Sequence, residues 1–204
     1  MWGRDTLNKP SENYCIILAA GFSRRLGRDK ALIEVGGRPL VSAMAQMMVD
    51  HGLRVCVVSS KRWSENEVPL YGAINCINPN PDNGRTGSIK RGLFALGWPK
   101  RAIVAPVDRP GFSSRTLRRL IGSEVCTCPS NGDRGGHPIL LDDAAIDAVR
   151  HALPDTPLRS LCTPMRFEVE DPHASLNIDT EADVQLLKSK WSEIESSWKV
   201  DSSP

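Results

Sequence analysis

The most constraining feature of the chain is an apolar run, Tyr14 to Ala19, that passes without a break into a glycine turn carrying cations, Gly21-Phe22-Ser23-Arg24-Arg25-Leu26-Gly27-Arg28-Asp29-Lys30. An uninterrupted apolar run of this length belongs to a strand buried on both faces, as in a parallel sheet between two covering layers. Gly21 and Gly27 let the backbone turn and leave amide groups facing outward. Arg24, Arg25, Arg28 and Lys30 follow against a single acid, Asp29. Fixed cations and free amides at the end of a central strand suit a polyphosphate, and a nucleoside triphosphate is the expected visitor.

The rest of the chain repeats the alternation. Strands are expected near 14–19, 54–59, 74–77, 101–106 and 124–127, separated by helix-period segments, the pattern of a parallel sheet with helices on both faces. A helix is expected from Pro39, with Leu40, Met44, Met47, Met48 and His51 on one face before Gly52. A second is expected from about Thr86 to Leu96, carrying Ile89 and Leu93 and closed by Pro99. After the fifth strand the turn cluster Asn131 to Gly136, the segment His137 to Leu141 and a helix from about Asp142 to Leu153 read as an insertion or lid. Segments 166–169 and 175–178 read as short strands returning to the sheet. A terminal helix over 180–198 carries an apolar stripe of Val184, Leu187, Trp191, Ile194 and Trp198, able to dock on the body or on a partner.

At 204 residues the chain suits one domain. The expected boundaries are a flexible extension over 1–12, the domain over 13–188, and the end of the terminal helix with a tail over 189–204. Lys and Arg total 26 against 24 acids, so the positive charge of the first loop is local and no nucleic-acid footprint is present. The six cysteines are scattered; Cys15, Cys56 and Cys76 sit in apolar runs as small hydrophobes, and Cys126 and Cys128 lack the second pair that a zinc site requires. No apolar run long enough to span a bilayer and no secretory leader is read, so a soluble cytoplasmic protein without membrane contact is expected.

The turn is neither G-x-x-x-x-G-K-[ST] nor G-x-G-x-x-G, which sets aside the two best-known phosphate loops. Nearly every specified position of L-A-A-G-x-S-x-R-[ML]-G-x-x-K is met over Leu18 to Lys30. In this the segment resembles the signature of the molybdenum-cofactor nucleotidyltransferases, and further segments follow in the family's order. Asn78 to Ser88 resembles N-P-x-x-x-x-G-x-x-x-S, and Val107-Asp108-Arg109-Pro110 resembles G-D-x-P with valine for glycine. Gly136-His137-Pro138 resembles G-[HN]-P, and Asn177 to Asp183 resembles D-I-D-T-P-E-D with asparagine in first place. Pro154 to Leu161 lacks the G-D-x-G segment of many cytidylyltransferase relatives.

The resemblance implies a single Rossmann-like three-layer α/β domain with a mostly parallel central sheet, of the nucleotide-diphospho-sugar transferase type, with a small acceptor-side insertion. It implies Mg²⁺-dependent transfer of a nucleoside monophosphate to a phosphate-bearing acceptor such as molybdopterin, with release of pyrophosphate. Arg25, Lys30 and Asp108 would be catalytic, and Asp108 and Asp179 would be the metal ligands. Leu18, Ala19, Ala20, Gly21, Arg25 and Lys30, with Asn78, Gly84, Thr86 and Ser88, would hold the nucleotide, and Gly136 and His137 the acceptor. L-A-A-G resembles the cytidylyl branch, against L-A-G-G in the guanylyl branch, which favours CTP over GTP. Partners implied are the nucleotide, the acceptor, and a molybdoenzyme or a second copy through the terminal helix.

The residues also admit plainer accounts. Asp108 ends a buried strand, where ligands of open α/β sheets gather, or it is a solvated turn residue. Thr180 and Asp183 form a capping box that would explain an acid at 179 without any metal. A sugar- or polyol-phosphate nucleotidyltransferase would share the opening loop, and a nucleotide-binding module without catalysis would share the fold.

Overall fold

The structure is a computed structural model that describes residues 13–21, 23, 25–61, 63, 68–132 and 134–200. The extension expected over 1–12, along with Phe22, Arg24, Asp133 and residues 201–204, lies outside the described residues.

Among the described residues, ten strands and five α-helices follow one another along the chain. The strands are β1 (Asn13–Ala19), β2 (Glu34–Val35), β3 (Arg38–Pro39), β4 (Leu53–Ser59), β5 (Ile74–Ile77), β6 (Ala102–Pro106), β7 (Thr127–Asn131), β8 (Arg134–Gly135), β9 (Ile139–Leu141) and β10 (Met165–Glu168). The helices are α1 (Leu40–Asp50), α2 (Arg85–Ala95), α3 (Ser114–Ile121), α4 (Asp143–His151) and α5 (Glu181–Ser197). Eight strands form the main sheet, in the order β10-β7-β9-β6-β1-β4-β5 with β8 paired to β7. β1 is parallel to both β4 and β6, and the sheet is parallel apart from β9 and β8.

Side-chain alternation on β1 feeds two cores. Cys15, Ile17 and Ala19 face the layer that holds α1, α3 and α5, while Ile16 and Ala20 face the layer that holds α2 and α4. Both faces are dry, which is why the sequence reads as a continuous apolar run. The α1 residues Leu40, Met44, Met47 and Met48 are buried, and His51 closes the helix by contacting the Met47 carbonyl and the Ser114 hydroxyl. Cys126 and Cys128 pack in the second core with Ile139 and Leu141.

Three elements depart from the sequence reading. The strand expected at 124–127 instead runs from Thr127 to Asn131, because Val125 is exposed in the approach and the polar stretch through Pro129 pairs with β10 and β8. The segment 175–178 forms no strand. It runs beside the end of β6, with Ile178 fully buried and its N–H donating to the Asp108 carbonyl at 3.0 Å. The stretch read as part of a lid contributes β9 to the main sheet, antiparallel to β6, with Val104 opposite Ile139. No helix among the described residues is long and apolar enough to cross a membrane.

The stripe on α5 is spent within the chain. Val184, Leu187, Trp191, Ile194 and Trp198 belong to the first core, Trp198 meets Trp191 edge to face at 5.2 Å, and its indole N–H donates to the Phe112 carbonyl at 2.8 Å. Trp198→Ala removes a buried indole and leaves that carbonyl unpaired, so urea denaturation should show a loss of about 3–5 kcal/mol. A loss under about 1 kcal/mol would mean that the last turn of α5 is not part of the core.

Candidate functional site

β1 lies between β4 and β6, so the connections from its neighbours leave in opposite directions and a crevice opens at the carboxyl ends of the strands. A cavity of about 300 Å³ fills it, lined by the end of β1 from Leu18 through Ala19 and Ala20 to Gly21, and by Lys30, Ser88 and Asp108. The Val107 N–H donates to the Leu18 carbonyl at 3.0 Å, which ties the two strand ends together.

The basic loop folds onto its own serine. Leu26 and Gly27 donate to the Ser23 carbonyl, and the Ser23 hydroxyl accepts from the Lys30 N–H at 3.2 Å. Gly27 adopts φ +72°, which a glycine takes without strain. Asp29 then caps a short 3₁₀ turn by accepting from the Ala31 N–H at 3.1 Å, so the side chain after it is held at a fixed place.

That side chain joins the two predicted metal ligands. Lys30 Nζ stands 2.6 Å from Asp179 Oδ1 and 3.3 Å from Asp108 Oδ2. Asp179 Oδ2 accepts from Asn177 Nδ2 at 2.7 Å and from Arg25 Nη1 at 3.3 Å. The Lys30 hydrogen bond, with help from Asn177 and Arg25, holds the Asp179 carboxyl below the usual carboxylate range. Arg28 pairs with Glu181 at the surface. The capping box is present as well: Asp183 accepts from the N–H groups of Thr180 and Asp179. The two accounts of Asp179 are compatible, since Asp183 does the capping and leaves the Asp179 carboxylate free to face Lys30.

Two carboxylates converging on one cation are hard oxygen donors, and Mg²⁺ commonly takes one or two carboxylates together with water and phosphate oxygens. Asp108 and Asp179 fit that ion. No group of three or more His, Cys, Asp or Glu able to hold a metal occurs among the described residues, and none is needed for an ion completed by its nucleotide.

The loop 78–88 divides its labour. Ser88 lines the cavity and accepts from Asn78 Nδ2 at 3.0 Å, while Asn78 borders a separate hollow behind it. Thr86 is buried and does not line this cavity, its hydroxyl donating to the Thr156 carbonyl at 2.6 Å. Gly84 precedes α2 at φ +105°, where a β-carbon would stand 2.7 Å from the Pro154 carbonyl oxygen. Gly84 and Thr86 therefore fasten the loop to the segment 154–156. Arg85, between them, lines the first cavity, and a lone arginine at a helix start has no sequence signature of its own. Asn177 was likewise read only as a departure from a motif, and its amide proves to orient Asp179.

A second cavity of about 580 Å³ adjoins Arg85 and is bordered by Gly136, His137, Thr156, Arg159 and Arg166. Burial first, then the positive charge of Arg85 and Arg109, push the His137 imidazole down to about 4, against a weaker opposing pull from Asp108. Its Nδ1 is buried without a partner among the described residues. His137 is therefore uncharged at neutral pH.

The features together define an α/β domain with a cation–dicarboxylate cluster at the sheet's switch point. A model of the MobA-like NTP transferase domain matches residues 15–170, and the chain belongs to that family. The match takes in Lys30, Ser88, Asp108 and His137; Asp179 lies beyond it. A molybdenum cofactor guanylyltransferase of Xanthomonas euvesicatoria pv. vesicatoria (strain 85-10) is 31% identical over 129 residues, covering 63% of each protein. The match thus spans less than two thirds of that relative. A nicotine blue oxidoreductase of Paenarthrobacter nicotinovorans is 30% identical over 150 residues, covering 66% of this chain and 72% of that protein. Among solved structures, Rv0371c of Mycobacterium tuberculosis H37Rv superposes with a TM-score of 0.75 at 20% identity, over 88% of this chain and 98% of that one. A molybdopterin-guanine dinucleotide biosynthesis protein A of Archaeoglobus fulgidus does so with 0.68 at 17% identity, over 88% and 99%. These two likenesses establish the fold.

Two outcomes follow from the geometry. Unfolded histidine titrates near 6.5 and His137 near 4, so between those values only the unfolded chain binds the extra proton. Stability is then full above about pH 6.5 and falls by up to about 3 kcal/mol as pH drops toward 4. His137→Asn should flatten this part of a metal-free urea-stability profile, and an unchanged slope would refute the assignment. Gly84→Ala combines an unfavourable φ with a clash against backbone, so it should lower stability by about 1–3 kcal/mol in thermal melts. A variant as stable as the parent would show that segment 154–156 yields freely.

Proposed function

We propose that the chain is a nucleotidyltransferase that moves a nucleoside monophosphate from a nucleoside triphosphate to the phosphate of an acceptor, molybdopterin by the family's chemistry, and releases pyrophosphate. One observation carries the reading. Lys30, Asp108 and Asp179 come from three distant parts of the chain and meet at the mouth of the donor cavity. Such a cluster has no structural need at the edge of a sheet, and it suits triphosphate chemistry, which depends on positioning and charge neutralisation. The family alone does not dictate this chemistry, since one relative bears an oxidoreductase name.

An acceptor phosphate oxygen forms a bond to the α-phosphorus, and the bond from that phosphorus to the bridging oxygen breaks with its electron pair going to pyrophosphate. No side chain is required as a nucleophile. Gly21 and its neighbours offer amides to the triphosphate, and Lys30 with Arg25 balances charge on the transferred and leaving groups. Mg²⁺, held by Asp108 and Asp179, would supply charge neutralisation to the phosphates when bound. Ser88, kept in place by Asn78, lines the cavity and would meet the nucleoside.

CTP is the donor we favour, because Ala20 puts a methyl on the wall where the guanylyl branch has glycine. GTP is the second reading, and the names of the relatives from Xanthomonas and from Bacillus cytotoxicus support it. Pyrophosphate release should be measured with Mg²⁺, isolated molybdopterin and each nucleoside triphosphate in turn. Release is expected with CTP above GTP, and the reverse order would transfer the assignment to GTP. Asp108→Asn should cut turnover at least about 100-fold with an unchanged melting temperature. An active Asp108→Asn enzyme removes the metal assignment, and nucleotide binding with no release under any condition would leave a binding module.

A further inference from the structure

Arg85 is the residue common to the linings of the donor and acceptor cavities. Its backbone is anchored on both sides. Gly84 packs against Pro154 and Asp155, the Thr86 hydroxyl donates to Thr156, and the Gly87 N–H donates to the Pro154 carbonyl at 2.9 Å. From this rigid base the guanidinium is exposed and has no carboxylate partner among the described residues. The other cations on the first cavity's side are already committed, Lys30 to Asp108 and Asp179, Arg25 to Asp179, and Arg28 to Glu181, while Arg159 and Arg166 border the second cavity alone. A fixed stem with an unpaired planar cation at the seam of two cavities is suited to an anion that belongs to neither cavity alone.

In a transfer between two phosphates the reacting atoms must lie at that seam, with the incoming oxygen about 3–3.5 Å from the phosphorus it attacks. Two anionic groups brought that close repel each other, and a cation must be shared between them. Lys30 lies on the strand-end side of the donor cavity with both carboxylates, so it serves the triphosphate. The acceptor side holds His137, which is uncharged at neutral pH, and Arg159 and Arg166, which border the second cavity but not the first and so do not span the seam. We propose that Arg85 contacts substrate directly and clamps the acceptor phosphate against the α-phosphate, which makes it a catalytic residue alongside Lys30. The inference rests on the nucleotidyl-transfer reading above and specifies its acceptor as an anion met by a guanidinium. In the step the acceptor oxygen bonds to the α-phosphorus, the bridging P–O bond breaks toward pyrophosphate, and Arg85 keeps its protons throughout.

Arg85→Ala and Arg85→Lys are to be compared with the parent in pyrophosphate release, with the nucleotide and the acceptor varied separately. For Arg85→Ala we expect kcat to fall about 100-fold, KM for the nucleotide to stay within about threefold, and the melting temperature to hold. Millimolar methylguanidinium should restore about tenfold, and Arg85→Lys should fall between parent and alanine variant, since an ammonium lacks the two-pronged geometry. An alanine variant within about threefold of the parent overturns the proposal, as does a loss expressed entirely in KM for the nucleotide. A second measurement separates this failure from failure of the activity itself. Phenylglyoxal labelling of Arg85, mapped by mass spectrometry, should be protected by inorganic phosphate added with CTP or GTP. If the parent releases no pyrophosphate the transfer reading fails, and protection or its absence still supports or overturns Arg85 as an anion clamp.

Discussion

The double pairing of β1 is the constraint on which the structure depends. Its seven residues run parallel to β4 along their whole length and to β6 along the upper half, so its end cannot shift without breaking two ladders. Both faces are buried, which fixes the register, since a slip of one residue would exchange the contents of the two cores. Everything chemical hangs from the carboxyl end of this strand. The glycine turn leaves it directly, and Val107 is tied back to Leu18 one residue before Asp108. Precision at the site is therefore inherited from the sheet, while the loops supply the functional groups.

The charges at the mouth of the cleft are balanced within the protein before any ligand arrives. Lys30 is little exposed and sits against two carboxylates, one of them also bonded by Asn177 and Arg25. Each partner offsets the cost of holding the others away from water. On the far side of Arg85 the logic inverts, and burial near two arginines keeps His137 neutral. The donor side holds fixed charge of both signs and the acceptor side holds mainly positive charge, a polarity suited to two anionic substrates entering from different directions.

Much of this was legible in the sequence, and the gaps have a physical cause. The strand over 14–19, the helix after Pro39 with its methionine face, and the terminal helix with its stripe are local patterns with strong periodicity, and each lies where its residues place it. The cluster of Lys30, Asp108 and Asp179 could be named from motif order, because each residue sits at a strand end or a helix cap that the sequence marks. What stayed hidden depends on contacts between distant segments. β7 contains Pro129, Ser130 and Asn131, which signal a turn in isolation and form a strand only because β10 and β8 pair with them. Segment 175–178 has the apolar pattern of a strand, but it leaves a turn at His173 and its bonding partner is the Asp108 carbonyl and not a sheet edge. Thr86 and Gly84 were recognisable as loop residues, yet their attachment to 154–156 has no local signature. Arg85 and Asn177 matter for what they stand beside, which no spacing along the chain reveals.

Helix α5 starts at the site and ends in the core. Its first turn, through Asp183, holds the backbone of Asp179. Its last turn, through Trp198, holds the carbonyl of Phe112, in the stretch that follows Asp108. Only the first of these contacts lies at the site, because the 17 residues of the helix put its two ends about 25 Å apart. A ribosome translating this chain completes the glycine turn, the central sheet and Asp108 before it reaches Asp179 and α5. Asp179 is the last member of the cluster to be synthesised, and its backbone is held by the first turn of α5, so the cluster beside Lys30 is completed only with that helix.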